Sequence, residues 1–155
     1  MKGKHTLLLA AIAAGIAYGI GWLLTPIEIK GIHTNNNFSF ILVNKFPVTD
    51  KGKIAWWSDN KLFLTKKYGV PAPDSNGYYT VVIWDFGDGY REMPDVDQGS
   101  DLLCFDDMKT TFNCLEKPGS ILRISRFDGG KTSFHMSNGH TYLQLSDKSE
   151  LKRVE

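Results

Sequence analysis

Apolar and polar positions change their rhythm four times along the chain. From Thr6 to Leu24 the sequence TLLLAAIAAGIAYGIGWLL runs nineteen residues without a formal charge. Pro26 then ends the helix that this run predicts, because proline cannot continue the hydrogen-bond ladder. Ile27, Ile29 and Ile32 suggest a short strand, and Asn35-Asn36-Asn37 a turn. Phe38, Phe40 and Leu42 alternate with Ser39, Ile41 and Val43, a strand with two apolar faces that forms a first hairpin.

A helical period follows. Thr49 or Asp50 is placed to cap it, and Gly69 stands just past the basic last turn of Lys66 and Lys67. Ile54, Trp57, Leu64 and Tyr68 share one stripe, which predicts a helix lying on a sheet. Trp56 and Phe63 fall on another face, among Asp59, Asn60, Lys66 and Lys67. Two readings stand for them: a second buried side, as large aromatics usually are, or a partner-binding patch.

Beyond Pro71 and Pro73 the pattern becomes that of strands. Tyr78–Phe86 is the strongest, β-branched and aromatic throughout. Gly87-Asp88-Gly89 predicts a tight reversal, with Tyr90–Met93 returning beside it. Leu102–Phe105, Ile121–Arg126, Thr132–Met136 and Thr141–Leu145 are further strands, with turns at Asp128-Gly129-Gly130 and Ser137-Asn138-Gly139. The charged tail from Ser149 reads as loose. The expectation is an α+β protein: an N-terminal transmembrane helix, then a small, mostly antiparallel sheet with one principal helix. Residues 1–5 form a cytoplasmic flank, 6–24 the membrane helix, 25–37 a linker with the first short strand, and 38–155 the folded domain.

The membrane expectation rests on length. The run has nineteen residues. At a rise of about 1.5 Å per residue it nearly matches the hydrocarbon core of a bilayer, about 30 Å thick. Lys2 and Lys4 precede the run, while Glu28 and Lys30 after it cancel. The N-terminus therefore stays in the cytoplasm and the domain is exported. A signal peptide cleaved near Gly15-Ile16-Ala17 is the rival, but Tyr18–Leu24 continues apolar past it. Gly15 and Gly19 form a small-xxx-small pair that would let two anchors pack closely; such pairs also occur in membrane helices with no partner.

The 155 residues carry 18 basic and 17 acidic side chains, with 42% hydrophobic residues. That excludes a disordered polar chain and a basic nucleic-acid binder. Charge is uneven, however. Between Asp74 and Asp107 nine acids face Arg91 alone, while both flanks are basic. Such asymmetry steers charged partners. Asp95, Asp97 and Asp101 belong to this acidic stretch and, with Trp56 and Phe63, are the candidate partner-binding residues. Asp95-x-Asp97-x-Gly99-x-Asp101 also offers hard oxygens, but it departs from a calcium loop at Gly99 and Ser100. A solvated acidic loop is the plainer reading.

Cys104 and Cys114 enclose nine residues and would join as a disulfide in an oxidising compartment. Their spacing is not that of a redox pair or a zinc site. His5, His33, His135 and His140 fall into no catalytic spacing. The chain has no Gly-x-Ser-x-Gly elbow, His-Glu-x-x-His helix or phosphate-binding loop. No catalytic residue, metal, cofactor or small-molecule substrate is expected, and the chain reads as a non-enzyme.

Several strings resemble one family: PIEIKGIH (Pro26–His33), FPVTDKGKIAWW (Phe46–Trp57), KYGVPAP (Lys67–Pro73), YYTVVIWDFGDGYRE (Tyr78–Glu92) and DLLCFDDMKTTFNCLEK (Asp101–Lys117). With the N-terminal segment they are similar to the enterobacterial putative membrane protein family, domain of unknown function nine-four-three. The resemblance implies a bacterial inner-membrane protein and carries over no catalytic residue. The combined expectation is a single-pass protein with a periplasmic domain that binds a protein partner, such as an immunity protein against a periplasmic toxin. The alternative is a structural or stress accessory of the envelope.

Overall fold

The computed structural model describes residues 2–23, 26–95, 101–117 and 119–154. Helix α1 (Lys2–Leu23) has 22 residues. Its length at the α-helical rise is about 33 Å. Leu7, Leu8, Leu9, Ile12 and Ile16 are exposed on it. Among the described residues, no helix is long and apolar enough to cross a membrane, so the expected span over 6–24 rests on the sequence. Gly15 has open space where a side chain would stand, and Gly19 lies one turn further along the same helix.

Strands β1 (Glu28–Asn35) and β2 (Phe38–Asn44) form the expected hairpin, with Asn35 opposite Phe38 and Asn36 turning the chain at a φ of 53°. Asparagine is among the few side chains that accept that conformation. β1 is thus an integral strand of the sheet, longer than the short strand expected within a 25–37 linker.

Helix α2 (Asp50–Tyr68) starts and ends where its caps require. The Thr49 hydroxyl accepts from Gly52 N at 3.1 Å. Gly69 adopts a left-handed φ of 68°. The Gly69 and Val70 amides return to the Thr65 and Leu64 carbonyls, which satisfies the helix end. The helix carries the chain back, so that β3 (Tyr79–Asp85) lies parallel to β2, Ile41 opposite Ile83. Parallel neighbours need such a crossover.

The other pairings are antiparallel. β7 (Ser120–Phe127), β8 (Lys131–Met136), β9 (Thr141–Gln144) and β10 (Lys152–Arg153) complete a seven-stranded sheet in the order β1-β2-β3-β7-β8-β9-β10. A second sheet contains β4 (Arg91–Glu92), β6 (Phe112–Glu116) and β5 (Leu102–Cys104), with β6 in the middle.

The two apolar faces of β2 explain this layering. Ile41 and Val43 point with Val81, Ile83, Leu122 and Ile124 toward Ile54, Trp57 and Leu64 of α2. Leu42 points the other way with Val82 and Trp84, toward Phe105 and Leu115 of the small-sheet layer. Successive strand residues face opposite sides, so a run buried on both faces reads as continuously apolar. Each fully buried aliphatic side chain here contributes about 1.5–3 kcal/mol.

Three expectations are corrected. One sheet becomes two. Residues Tyr90–Met93 do not return beside β3, whose edges are already taken by β2 and β7; the Gly87-Asp88-Gly89 reversal instead sends β4 out to pair with β6. The tail is not wholly loose, because β10 adds two residues to the edge of β9.

Candidate functional site

The residues singled out by sequence separate onto different layers. Trp56 is half-buried, its ring 5.0 Å edge-on from Phe46 and packed against the main core. Phe63 is 48% exposed, and its neighbour Leu62 is 65% exposed. Tyr68, expected in the buried stripe, is instead 38% exposed and stands edge-on to Phe63 at 6.0 Å. Lys67 Nζ lies 5.3 Å from the Phe63 ring and 5.1 Å from the Tyr68 ring. Both distances fall within cation–π range. Phe63, Tyr68 and Lys67 therefore form a solvent-facing aromatic and basic ridge on the last turns of α2, with Leu62 exposed on the adjoining face.

Asp95 and Asp101 are exposed beside the small sheet, on the side of the main sheet away from α2. They share no surface with Phe63. Asp97, with Gly99 and Ser100 of the candidate calcium loop, lies outside the described residues. Among the described residues, no group of three or more His, Cys, Asp or Glu is placed to hold a metal ion.

Cys104 and Cys114 stand directly opposite each other on β5 and β6, Cα atoms 3.9 Å apart, and are joined as a disulfide. The bridge closes a short loop in the layer with least core of its own, where chain-entropy arguments assign about 2–3 kcal/mol.

Next to the bridge, a cluster joins segments that sequence reading leaves apart. β1 turns His33 inward, 7% exposed. Its ring stacks on Phe105 at 3.8 Å, the two planes nearly parallel. Its Nδ1 is 2.9 Å from both carboxylate oxygens of Asp107, and its Nε2 is 2.8 Å from the Tyr90 hydroxyl. Burial, and then the Asp107 charge, raises the Tyr90 pKa above that of an ordinary phenol. Tyr90 thus keeps its proton; His33 Nδ1–H donates to the Asp107 carboxylate, and its Nε2 shares a hydrogen bond with the Tyr90 hydroxyl.

Gly31 makes room for the phenol: a Cβ there would lie 2.5 Å from the Tyr90 oxygen. Phe86 and Phe105 flank the same ring. A carboxylate–imidazole–phenol chain can relay a proton; here the phenol oxygen lies over Gly31, and two aromatic rings flank the phenol ring. The chain clamps β1, the segment after β3 and the segment after β5. Beside it, His33, Phe40, Phe105 and Asp107 border an open cavity of about 390 Å³.

A second cluster docks the start of α2. Asp50 accepts from His140 Nδ1 at 2.6 Å, the Tyr142 hydroxyl at 3.0 Å and Asn138 Nδ2 at 3.2 Å. Those bonds, His140 first, hold its carboxyl below the usual aspartate range. Sequence spacing suggests no partner for His140; the β8–β9 turn brings it onto the helix terminus. His135 remains exposed, 2.9 Å from the Thr141 hydroxyl.

A family model for enterobacterial putative membrane proteins, DUF943, matches residues 1–155. No curated protein and no solved structure matches the chain.

Proposed function

We propose, for a chain that belongs to the enterobacterial putative membrane protein family over its whole length, a membrane-anchored, non-catalytic protein-binding role. The observation that carries it is the ridge of Phe63, Tyr68 and Lys67. Exposed aromatics beside cations on a helix capped at both ends make a rigid, low-entropy docking surface. Lys66 and Lys67 fit it to a partner with an acidic surface.

The anchor in this reading is the uncharged run Thr6–Leu24. Lys2 and Lys4 keep the N-terminus in the cytoplasm and put the folded domain in the periplasm, where the Cys104–Cys114 bridge is stable. The non-catalytic part is supported by the His33 cluster, whose phenol keeps its proton and packs on Gly31 as a clamp between segments. The most concrete version is immunity: the anchored domain occupies a periplasmic toxin through the ridge.

A photo-crosslinker at Phe63 of the full-length chain in cells tests the reading. It should give one discrete adduct, lost in Tyr68→Ser, together with protection of cells producing the captured toxin. An adduct without protection leaves binding in place and removes immunity, in favour of an envelope accessory role. No adduct at Phe63, with the same label reactive at Trp56, removes the ridge as the contact.

A further inference from the structure

We propose that the loop between β2 and α2, residues 45–51, rests in the headgroup layer of the bilayer, with Val48 entering the layer and Lys45 and Lys51 against lipid phosphates. The inference rests on the membrane anchor of the proposed function, and adds which end of the folded domain faces the lipid. Ile27 already packs against the main core. Only residues 24–26 therefore lie between α1 and the domain, and the stretch from Leu23 to Ile27 spans at most about 14 Å. β1 starts opposite the end of β2, Glu28 across from Asn44. The sheet end that carries Glu28 and the loop after Asn44 is thus the end held at the anchor. β3 runs parallel to β2, Phe38 opposite Thr80, so α2 crosses from this end to the other. Its 19 residues cover about 28 Å. The ridge on its last turns then stands at the far end of the domain from the lipid.

The loop is built to hold an apolar tip outward. Lys45 has a φ of 58°, a left-handed conformation that a residue with a side chain seldom adopts, and it turns the chain sharply out of β2. Pro47 and the Thr49 hydroxyl then close over Gly52, where a Cβ would lie 3.1 Å and 2.9 Å from them. Between these fixed points Val48 is 78% exposed, more than any other large hydrophobic among the described residues, those of α1 included. A lone exposed valine is ordinary on a surface that faces water. Here it follows half-buried Phe46, on which Trp56 packs edge-on, and Lys45 and Lys51 are exposed on either side of it. An apolar tip with aromatics behind it and lysines beside it is the composition of a contact with a membrane interface. The acids nearest the loop are engaged, Glu28 by Lys30 and Lys45 and Asp50 by His140, so a positive charge remains for anionic headgroups. Asp85 and Asp88 follow β3, one strand further from the anchor strand, which turns the lysine side of this end to the lipid.

Fluorescence quenching in vesicles of phosphatidylethanolamine and phosphatidylglycerol tests the contact. The full-length chain carries a fluorescent amino acid at the position of Leu9, Val48 or Phe63, and the lipid carries a nitroxide on its headgroup or in its acyl chain. The label at 9 should be quenched by the acyl-chain nitroxide. The label at 48 should lose most of its emission to the headgroup nitroxide, while the label at 63 keeps its emission. Lys45→Gln combined with Lys51→Glu should restore most of the emission at 48, and high salt should do the same without any substitution. A quenched label at 9 with a bright one at 48, or equal quenching at 48 and 63, would overturn the docked loop and leave the anchor standing. So would quenching at 48 that neither the double variant nor salt relieves, since the tether alone would then account for it. A label at 9 that neither nitroxide quenches would remove the anchor, and this inference with it.

Discussion

His33 Nδ1 lies 2.9 Å from both carboxylate oxygens of Asp107, 74 positions further along the chain. This contact fastens the first hairpin to the segment between β5 and β6. Asp107 is about half exposed. Solvent therefore screens the pair and lowers its worth below that of a buried one. Asp107→Asn should cost about 1 kcal/mol in urea unfolding of the full chain in detergent, because a neutral acceptor replaces a charged one. His33→Ala should cost more, about 2–3 kcal/mol, since it also removes the ring stacked on Phe105. Equal losses for the two variants would contradict this division.

Gly31→Ala places a methyl group 2.5 Å from the Tyr90 oxygen and 3.1 Å from Leu42 Cδ1. Crowding of this kind costs about 1–3 kcal/mol. The oxygen is the nearer obstacle, so adding Tyr90→Phe should recover part of the loss. A double variant no more stable than the sum of the single effects would show that Leu42 is the true obstruction.

The Asp50 latch sets a pH dependence. Its carboxyl is held below its ordinary value, 3.8, chiefly by the His140 hydrogen bond. A group with a depressed folded pKa stabilises the fold fully above its unfolded pKa, and that contribution is lost as pH falls through the folded value. Stability should therefore decline below about pH 4. Asp50→Asn should flatten this acid limb while lowering stability at neutral pH. Chemical denaturation repeated across the acid-to-neutral range reads both effects, and an unchanged acid limb would remove Asp50 as its source.

Trp56 and Phe63 should part company under mutation. Trp56 packs against Phe46 and the core, whereas Phe63 is at the surface. Trp56→Ala empties its site and should cost about 3 kcal/mol. Phe63→Ser should stay within about 0.5 kcal/mol of the parent. Similar losses for both in one urea series would place Phe63 in the core as well.

Local signals made much of this architecture legible. Thr49 and Gly69 mark both ends of α2, and the glycine turns after β7 and β8 separate the last strands. The doubly apolar run at Phe38–Val43 implies a layer on each side of β2, but alternation cannot say what that second layer is. The small sheet escaped because β4 has two residues and β6 carries Asn113 and Cys114 within its five. The His33 cluster escaped for another reason. Its members are 57 and 74 positions apart, so only the packing of one sheet on the other joins them.

The proposed role stands on where the folded domain resides, and paired C-terminal reporters measure that directly. Full-length chains ending in alkaline phosphatase or in a cytosol-dependent fluorescent protein should give an active phosphatase and a dark fluorophore. An inactive phosphatase with a bright fluorophore would place the ridge and the bridge in the cytoplasm and contradict the account.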